Sequence, residues 1–540
     1  MTTKLADLVV TGARVWTGES GPEGEEPTAF AVRNGRFVAV GTGEDIAPLA
    51  RAAEHVIDLG GRRVLPGLQD SHIHAVRAGA TWGTELHWEA VRSVADALET
   101  IRLRVAQVGE DEWVCVVGGW HCRQFTERRM PTKAELDAVS PENPVFVQMG
   151  YECAVLSTAA LRLCGWDSAD DAPPGAAFDV DAVTGELTGV VRGQAAYRLA
   201  LMKMPKPSAE VQRAGTRAML DEFARHGLTA VADAGGFMMT PESYQPVFDL
   251  WRAGALPVRL RLFLSASTAG RELEELSTWM RHLAPGFGDD LMRFSGIGEL
   301  VHLGCHDMEG FDGDFIIQDA PHAELIAISE RVAAAGWPMS IHAVLDSSLD
   351  RVLSAWEEVA RTADLRALRW SVVHADQASP ANIARMAALG LGVQVQNRMV
   401  LQGTDYIPLW GLDQVRRTPP LGDFTDAGLW LVGGTDGTRA NWYQPWTSIE
   451  WLVNGSTIDQ PGLREARHRL SVAQALTAYS STGSYMVGEE RHRGMIAEGH
   501  LADFFVPTKD PFSVPVDELS TILSDWTVVG GHTTHDSDTI

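Results

Sequence analysis

A chain of 540 residues exceeds the size at which a single core stops growing, so one large domain with a smaller companion is expected. A formal net charge of −26 excludes nucleic acid or an anionic membrane surface as the main partner, since both require clustered Lys and Arg. Five scattered cysteines without a CxxC pair, no signal-like apolar core after Met1-Thr-Thr-Lys4, and no run near the roughly 18 apolar residues that span a bilayer point to a reduced, cytoplasmic protein.

Short strands with turn chemistry fill the first sixty residues. Residues 31–40 carry Asn34-Gly35, a pair that tolerates the positive φ of a type I′ hairpin turn, and residues 56–65 repeat the pattern around Gly60-Gly61. The same character returns at residues 494–506 and 527–530, so the two ends are expected to form one β-sandwich from residues 1–63 and 491–540. Between them, apolar strands alternate with amphipathic helices, the pattern of βαβ units around a parallel sheet. Strand candidates lie at 64–71, 228–233, 258–264, 293–300, 338–342, 369–374, 391–396 and 428–434. Eight such units close a (β/α)8 TIM-like barrel, here over residues 64–490. After the fifth strand, Leu349, Val352, Leu353, Trp356 and Val359 recur at helical spacing. After the sixth, Ser379 suits an N-cap, Pro380 the first helical position and Gly390 the stop. The segment from about 83 to 210 is too long for a loop and reads as an inserted subdomain with strands such as Trp113-Val-Cys-Val-Val117.

Several predicted strands end in a residue able to bind a metal. The first runs into Asp70-Ser-His-Ile-His74, where alternation sends His72 and His74 to one face. The fifth closes on His342, the sixth on His374 and the eighth on Asp436. The C-terminal strand ends of a barrel converge on one mouth, where active sites sit, so these five residues would meet there. A lone histidine at a strand end is usually structural; the constellation carries the inference.

Val64-Leu-Pro-Gly-Leu-Gln-Asp-Ser-His-Ile-His74 resembles the opening signature of the amidohydrolase superfamily, metal-dependent hydrolases on a (β/α)8 barrel with a composite sandwich. Gly118-Gly-Trp-His121, Arg129-Met-Pro-Thr-Lys133, Ile341-His-Ala-Val-Leu-Asp346, Val373-His-Ala-Asp-Gln377, Gly433-Gly-Thr-Asp436, Leu476-Thr-Ala-Tyr-Ser-Ser-Thr-Gly483 and Gly499-His-Leu-Ala-Asp503 follow in order. They are similar to the blocks of its amidohydrolase-3 branch, which includes N-substituted formamide deformylases. The resemblance implies that His72 and His74 hold a first metal, that His342 and His374 hold a second, and that Asp436 binds the first while acting as general base. Family members with two metals bridge them from the fourth strand, commonly with a carboxylated lysine. No lysine lies between Lys206 and Lys509. Glu299, after Gly296 and Gly298 that permit close backbone approach, is the candidate bridge, with a substrate-contacting role as its alternative.

The implied cofactor is one or two divalent metal ions, zinc favoured by imidazole and carboxylate ligands. The implied reaction is hydrolysis of a C–N bond in a small molecule, an amide such as an N-acyl or N-formyl compound. Deamination or cyclic-amide opening at the same site, and an inactive metal-binding scaffold, are the alternatives. Trp82, Trp120, His121, Tyr151, Glu152, His302, Arg398 and Trp442 are candidate substrate contacts, each balanced against core packing or a salt bridge. A homo-oligomer is compatible with the sequence.

Overall fold

The computed structural model describes residues 6–18, 24–237, 239–310, 313 and 315–540; the Met1–Lys4 reading lies outside them. All eight expected strands form: β1 (Leu68–Ile73), β2 (Leu228–Asp233), β3 (Arg259–Leu264), β4 (Met292–Ile297), β5 (Ser340–Ala343), β6 (Ser371–His374), β7 (Gly392–Gln396) and β8 (Trp430–Gly434). They are buried on both faces, as parallel strands covered by helices must be. β1 to β4 pair in parallel, in the order of the chain, as do β5 to β8.

Backbone hydrogen bonds also join the two groups at both seams. Ile297 N–H donates to the Pro338 carbonyl at 2.9 Å between β4 and β5, and Asp436 N–H to the His72 carbonyl at 2.8 Å between β8 and β1.

The helices bury one stripe each. Helix Asp346–Val359 places all five predicted positions in the core, where a large apolar side chain contributes roughly 1.5–3 kcal/mol. Helix Pro380–Leu389 is capped by the Ser379 hydroxyl and stopped by Gly390 at φ 71°, a left-handed conformation costly to other residues.

Two β-sheets from the chain ends share one core. One orders strands Arg36–Gly41, Ala29–Arg33, Ala6–Thr11 and Ala53–Asp58; the other orders Arg14–Val15, Arg63–Pro66, Phe504–Pro507, Ser524–Val529 and His532–Asp536. Phe30 and Phe504 meet edge to face at 5.0 Å between them, and Trp526 packs on Phe504 at 5.1 Å. The turn at Asn34-Gly35 forms as expected, with φ of 51° and 73°. The second hairpin does not: Ala53–Asp58 and Arg63–Pro66 separate into different sheets around Gly60-Gly61.

The first predicted strand, 64–71, likewise divides at Gly67. Its first half pairs with Phe504–Pro507 and its second half with β2. A Cβ on Gly67 would lie 2.1 Å from the Thr229 hydroxyl, so the chain changes sheets where only glycine fits.

Residues of the predicted insertion build a separate sheet, ordered Ala177–Val180, Leu187–Arg192, Cys153–Leu156, Val145–Met149 and Val114–Val117. The five cysteines are free thiols. Among the described residues no helix is long and apolar enough to cross a membrane.

Candidate active site

His72 is the penultimate residue of β1, and His74 occupies the N-cap position of the following helix, Ala75–Gly79. Glu299 lies just beyond β4, His342 and His374 fall within the last residues of β5 and β6, and Asp436 follows β8. Two glycines allow these ends to converge. A Cβ on Gly434 would stand 2.7 Å from His72, and one on Gly298 would stand 2.0 Å from the Ser340 carbonyl. His374 (φ 71°) and Asp436 (φ 55°) hold left-handed backbone, a cost that clusters where side chains must be aimed for function.

The six side chains form two adjoining groups, His72, His74 and Asp436, and Glu299, His342 and His374, all buried. Glu299 faces both. Its Oε1 lies 3.6 Å from His72 Nε2 and 3.4 Å from His74 Nε2, while its Oε2 lies 3.1 Å from His342 Nδ1 and 3.9 Å from His374 Nε2. Asp436 Oδ1 is 3.1 Å from His74 Nε2 and 3.8 Å from His72 Nε2.

Surrounding acceptors fix which nitrogens are free. His72 Nδ1 meets Gln394 Oε1 at 3.3 Å and His74 Nδ1 meets the Gly235 carbonyl at 2.8 Å. Both Nδ1 atoms therefore carry the proton, and the Nε2 lone pairs point inward. His72 Nε2 is buried with no hydrogen-bond partner. His342 is turned the other way. Its Nε2 meets the Met308 carbonyl at 2.6 Å and Asp307 Oδ1 at 3.0 Å, which leaves Nδ1 for Glu299. Three imidazoles whose outer nitrogens are engaged, together with His374 and two carboxylates in one buried space, fit divalent metal, zinc included.

Burial lowers the pKa of His72, His74 and His342, but the facing carboxylates Glu299, Asp436 and Asp307 outweigh it and raise all three, a demand for positive charge that a divalent metal would meet in place of protons. Burial alone would raise the Glu299 pKa, but the neighbouring His72, His342 and His74 outweigh it and hold this carboxyl well below its ordinary value. Burial, reinforced by the charge of His342, depresses the pKa of His374 well below the ordinary imidazole value. Asp70 is raised to about 7 by burial despite donors from Thr435 and His72. Its contacts to Thr435 Oγ1 at 2.5 Å and to His72 N–H at 3.0 Å tie β1 to β8 beneath the site.

The predicted substrate contacts are more dispersed. The Tyr151 hydroxyl accepts from Arg77, in the helix after β1, at 2.9 Å. Trp82 packs on His87 and Tyr443. Trp120, 1% exposed, stacks on Phe125 in the core of the insertion and donates its indole N–H to the Gln148 carbonyl at 2.7 Å. His121 and Glu152 gather with Asp405 and Arg123 in a second cluster, and Glu152 accepts from Gln402 at 3.0 Å. His302 pairs with Glu324 at 3.3 Å, and Trp442 lines a different cavity with Arg92. The Arg398 guanidinium is engaged by Asp376 and Glu309 rather than left open to an anion.

Gln394 and Arg77 do not stand out in the sequence, and Asp307, legible there only as a candidate substrate contact or solvent-facing loop residue, instead meets His342 Nε2. Alternation along β7 was the available signal for Gln394, and it extends to Gln396, which shares its face and has both amide atoms buried without partners.

An amidohydrolase family model matches residues 55–535. N-substituted formamide deformylase of Arthrobacter pascens is 25% identical, covering 98% of each chain. A metal-dependent hydrolase structure from Pyrococcus horikoshii superposes with a TM-score of 0.67 at 18% identity, over 94% of this chain and 99% of that one. Atrazine chlorohydrolase from Arthrobacter aurescens, solved with zinc, gives 0.55 at 15% identity over 99% and 97%. With a family match across most of its length and two groups of buried metal-binding side chains, the chain belongs to the amidohydrolase family, metal-dependent hydrolases acting on C–N bonds.

Proposed function

We propose that the protein hydrolyses the amide bond of a small N-acyl or N-formyl compound, with His72, His74 and Asp436 holding one divalent metal and His342 and His374 a second, bridged by Glu299. The observation that carries this reading is the orientation of Glu299, with one oxygen toward each histidine pair. The scaffold is taken as a (β/α)8 barrel spanning 64–490 with an insertion at about 83–210. The hydrogen bonds across both seams support it, and the shared core of the terminal sheets supports a sandwich of 1–63 and 491–540.

Metal held by these side chains supplies Lewis acidity and water ionised at neutral pH, and zinc suits the donor set. Asp436 stands 3.1 Å from His74 Nε2, placed to accept the proton of the attacking water and return it to the departing nitrogen. Asp307 and the Met308 carbonyl hold the His342 ring in the orientation that presents Nδ1.

Substituting Glu299→Ala is expected to reduce bound metal from two ions per chain to one or none, read by elemental analysis. Unchanged metal content would remove the bridging role. The reaction itself is tested with metal-replete protein on a panel of N-formyl and N-acyl amines, following amine and carboxylic acid release. Ammonia without acid from amino-substituted heterocycles would instead identify a deaminase.

A further inference from the structure

A cavity of about 670 Å³ runs between the insertion and the strand ends. Trp113 and Val117 of the insertion, Leu201 and Met204 near the helix Gln194–Lys203, and Phe237 after β2 give it largely apolar walls. None of the six proposed ligands lines it, but Arg77 of its wall stands next to one of them. A Cβ on Gly236 would have His74 Nδ1 at 3.2 Å and Arg77 Nη1 at 3.7 Å, so the Arg77 guanidinium adjoins a proposed ligand. Phe237 packs at 5.1 Å on His306, which stacks at 3.7 Å on His342.

Four arginines line the cavity, Arg77, Arg104, Arg198 and Arg439, and the two that follow β1 and β8, Arg77 and Arg439, differ. Arg439 is fully paired, with Nη1 and Nη2 on the two oxygens of Glu85 at 2.7 and 2.8 Å. Arg77 donates to the Tyr151 hydroxyl, its Nε is buried without a partner, and among the described residues no carboxylate lies within ion-pair distance of it. Asp233 and Asp436 act on it only through space. Nearby Arg198, also without an ion pair among the described residues, lies over the Phe237 ring at 4.8 Å. A largely apolar chamber whose wall holds a guanidinium without a contacting carboxylate is matched by a ligand combining an apolar body with an anion, because a planar fork binds a carboxylate through two charge-assisted hydrogen bonds.

We propose that the substrate is an amide whose nitrogen substituent is apolar and carries a carboxylate next to the nitrogen, the apolar part filling this cavity and the carboxylate binding Arg77. This rests on the amide-hydrolase reading above, and the test separates the two. Binding of 3-phenylpropionate and of its uncharged partner, 3-phenylpropanamide, to the metal-replete full chain is measured by calorimetry. The acid is expected to bind at least tenfold more tightly. Arg77→Gln should bring acid and amide within about threefold of each other, Arg77→Lys should keep part of the preference, and Leu201→Trp should weaken both ligands at least tenfold.

An acid preference unchanged in Arg77→Gln would place the carboxylate elsewhere and overturn the assignment, as would unaltered binding in Leu201→Trp or no binding of either compound. Turnover is then compared for N-formylphenylalanine and N-formylphenethylamine, which differ by the carboxylate, with at least a tenfold higher kcat/KM expected for the former. If the binding pattern holds while neither compound is hydrolysed, the amide-hydrolase reading fails and the cavity assignment stands. If both are hydrolysed equally and Arg77→Gln changes nothing, the cavity assignment fails alone.

Discussion

Substituting Asp436→Asn is expected to lower kcat on any accepted substrate by about a thousandfold, within the range a positioned acid or base contributes. The substitution is conservative in shape. Asp436 sits at φ 55°, and asparagine is among the few residues that adopt left-handed backbone readily, so the loop after β8 should keep its course. The backbone link from Asp436 N–H to the His72 carbonyl is also untouched. What changes is the carboxylate beside His74 Nε2, since an amide cannot take a proton from water at neutral pH. Circular dichroism and the apparent Tm should stay near wild type. A variant with kcat within tenfold of wild type would show that the proton goes elsewhere, and unfolding would show that the residue is structural.

Much of this centre was legible in the sequence because its residues end apolar runs. Parallel strands buried on both faces read as continuous hydrophobic segments, so His342, His374 and Asp436 stood out as the polar residues that close them. Helix limits at Ser379 and Gly390 were legible for a local reason, capping chemistry within a few residues. The same continuity hid the division at Gly67, since an unbroken apolar run gives no sign that its halves pair with different sheets.

Contacts made across the fold were not legible. Asp307 approaches His342 from 35 positions upstream, and Gln394 reaches His72 from 322 positions downstream. Aromatic residues posed the opposite difficulty. Trp120 and Tyr151 belong to one insertion and have similar local sequence character, yet Trp120 is enclosed in its core while the Tyr151 hydroxyl meets Arg77 after β1. Which face of the insertion sheet looks toward the strand ends is decided by packing between the two units.

The Gly499-His-Leu-Ala-Asp503 block gains a physical meaning from that packing. Arg259 in β3 binds Asp503 through two parallel contacts of 2.7 Å, and Asp503 also accepts from Gly530 N–H at 2.7 Å. The C-terminal segment is thereby fastened to a buried strand, as bidentate pairing permits. A second buried pair lies close by, at Arg261 of β3.

Glu489→Gln should therefore destabilise the protein by about 3–5 kcal/mol at pH 7, the scale for breaking a buried pair from one side. Glu489 Oε2 accepts from Arg261 Nε at 2.8 Å and from Arg493 Nε, and Arg293 Nη1 lies 3.1 Å from its Oε1. Arg493 continues to the Gln69 side chain, so one carboxylate joins β1, β3, β4 and the C-terminal segment. Glutamine retains an acceptor but leaves Arg261 and Arg493 buried without a countercharge, so the loss should exceed that of a single hydrogen bond.

The pH dependence follows from the direction of the shift. Burial pushes the Glu489 pKa up, but Arg493 and Arg261 outweigh it and hold the carboxyl far below the ordinary value of 4.5. A depressed folded-state pKa means that the unfolded chain binds the proton first. The stabilisation is thus fully present above 4.5 and is lost as the pH falls below it. Apparent Tm of wild type and Glu489→Gln should differ by a constant margin between pH 7 and 5.5. Below the unfolded-state value the gap should narrow by about 1.4 kcal/mol per pH unit. A gap that stays constant down to pH 3.5 would mean that the carboxylate charge contributes nothing and that only the shape of the side chain matters.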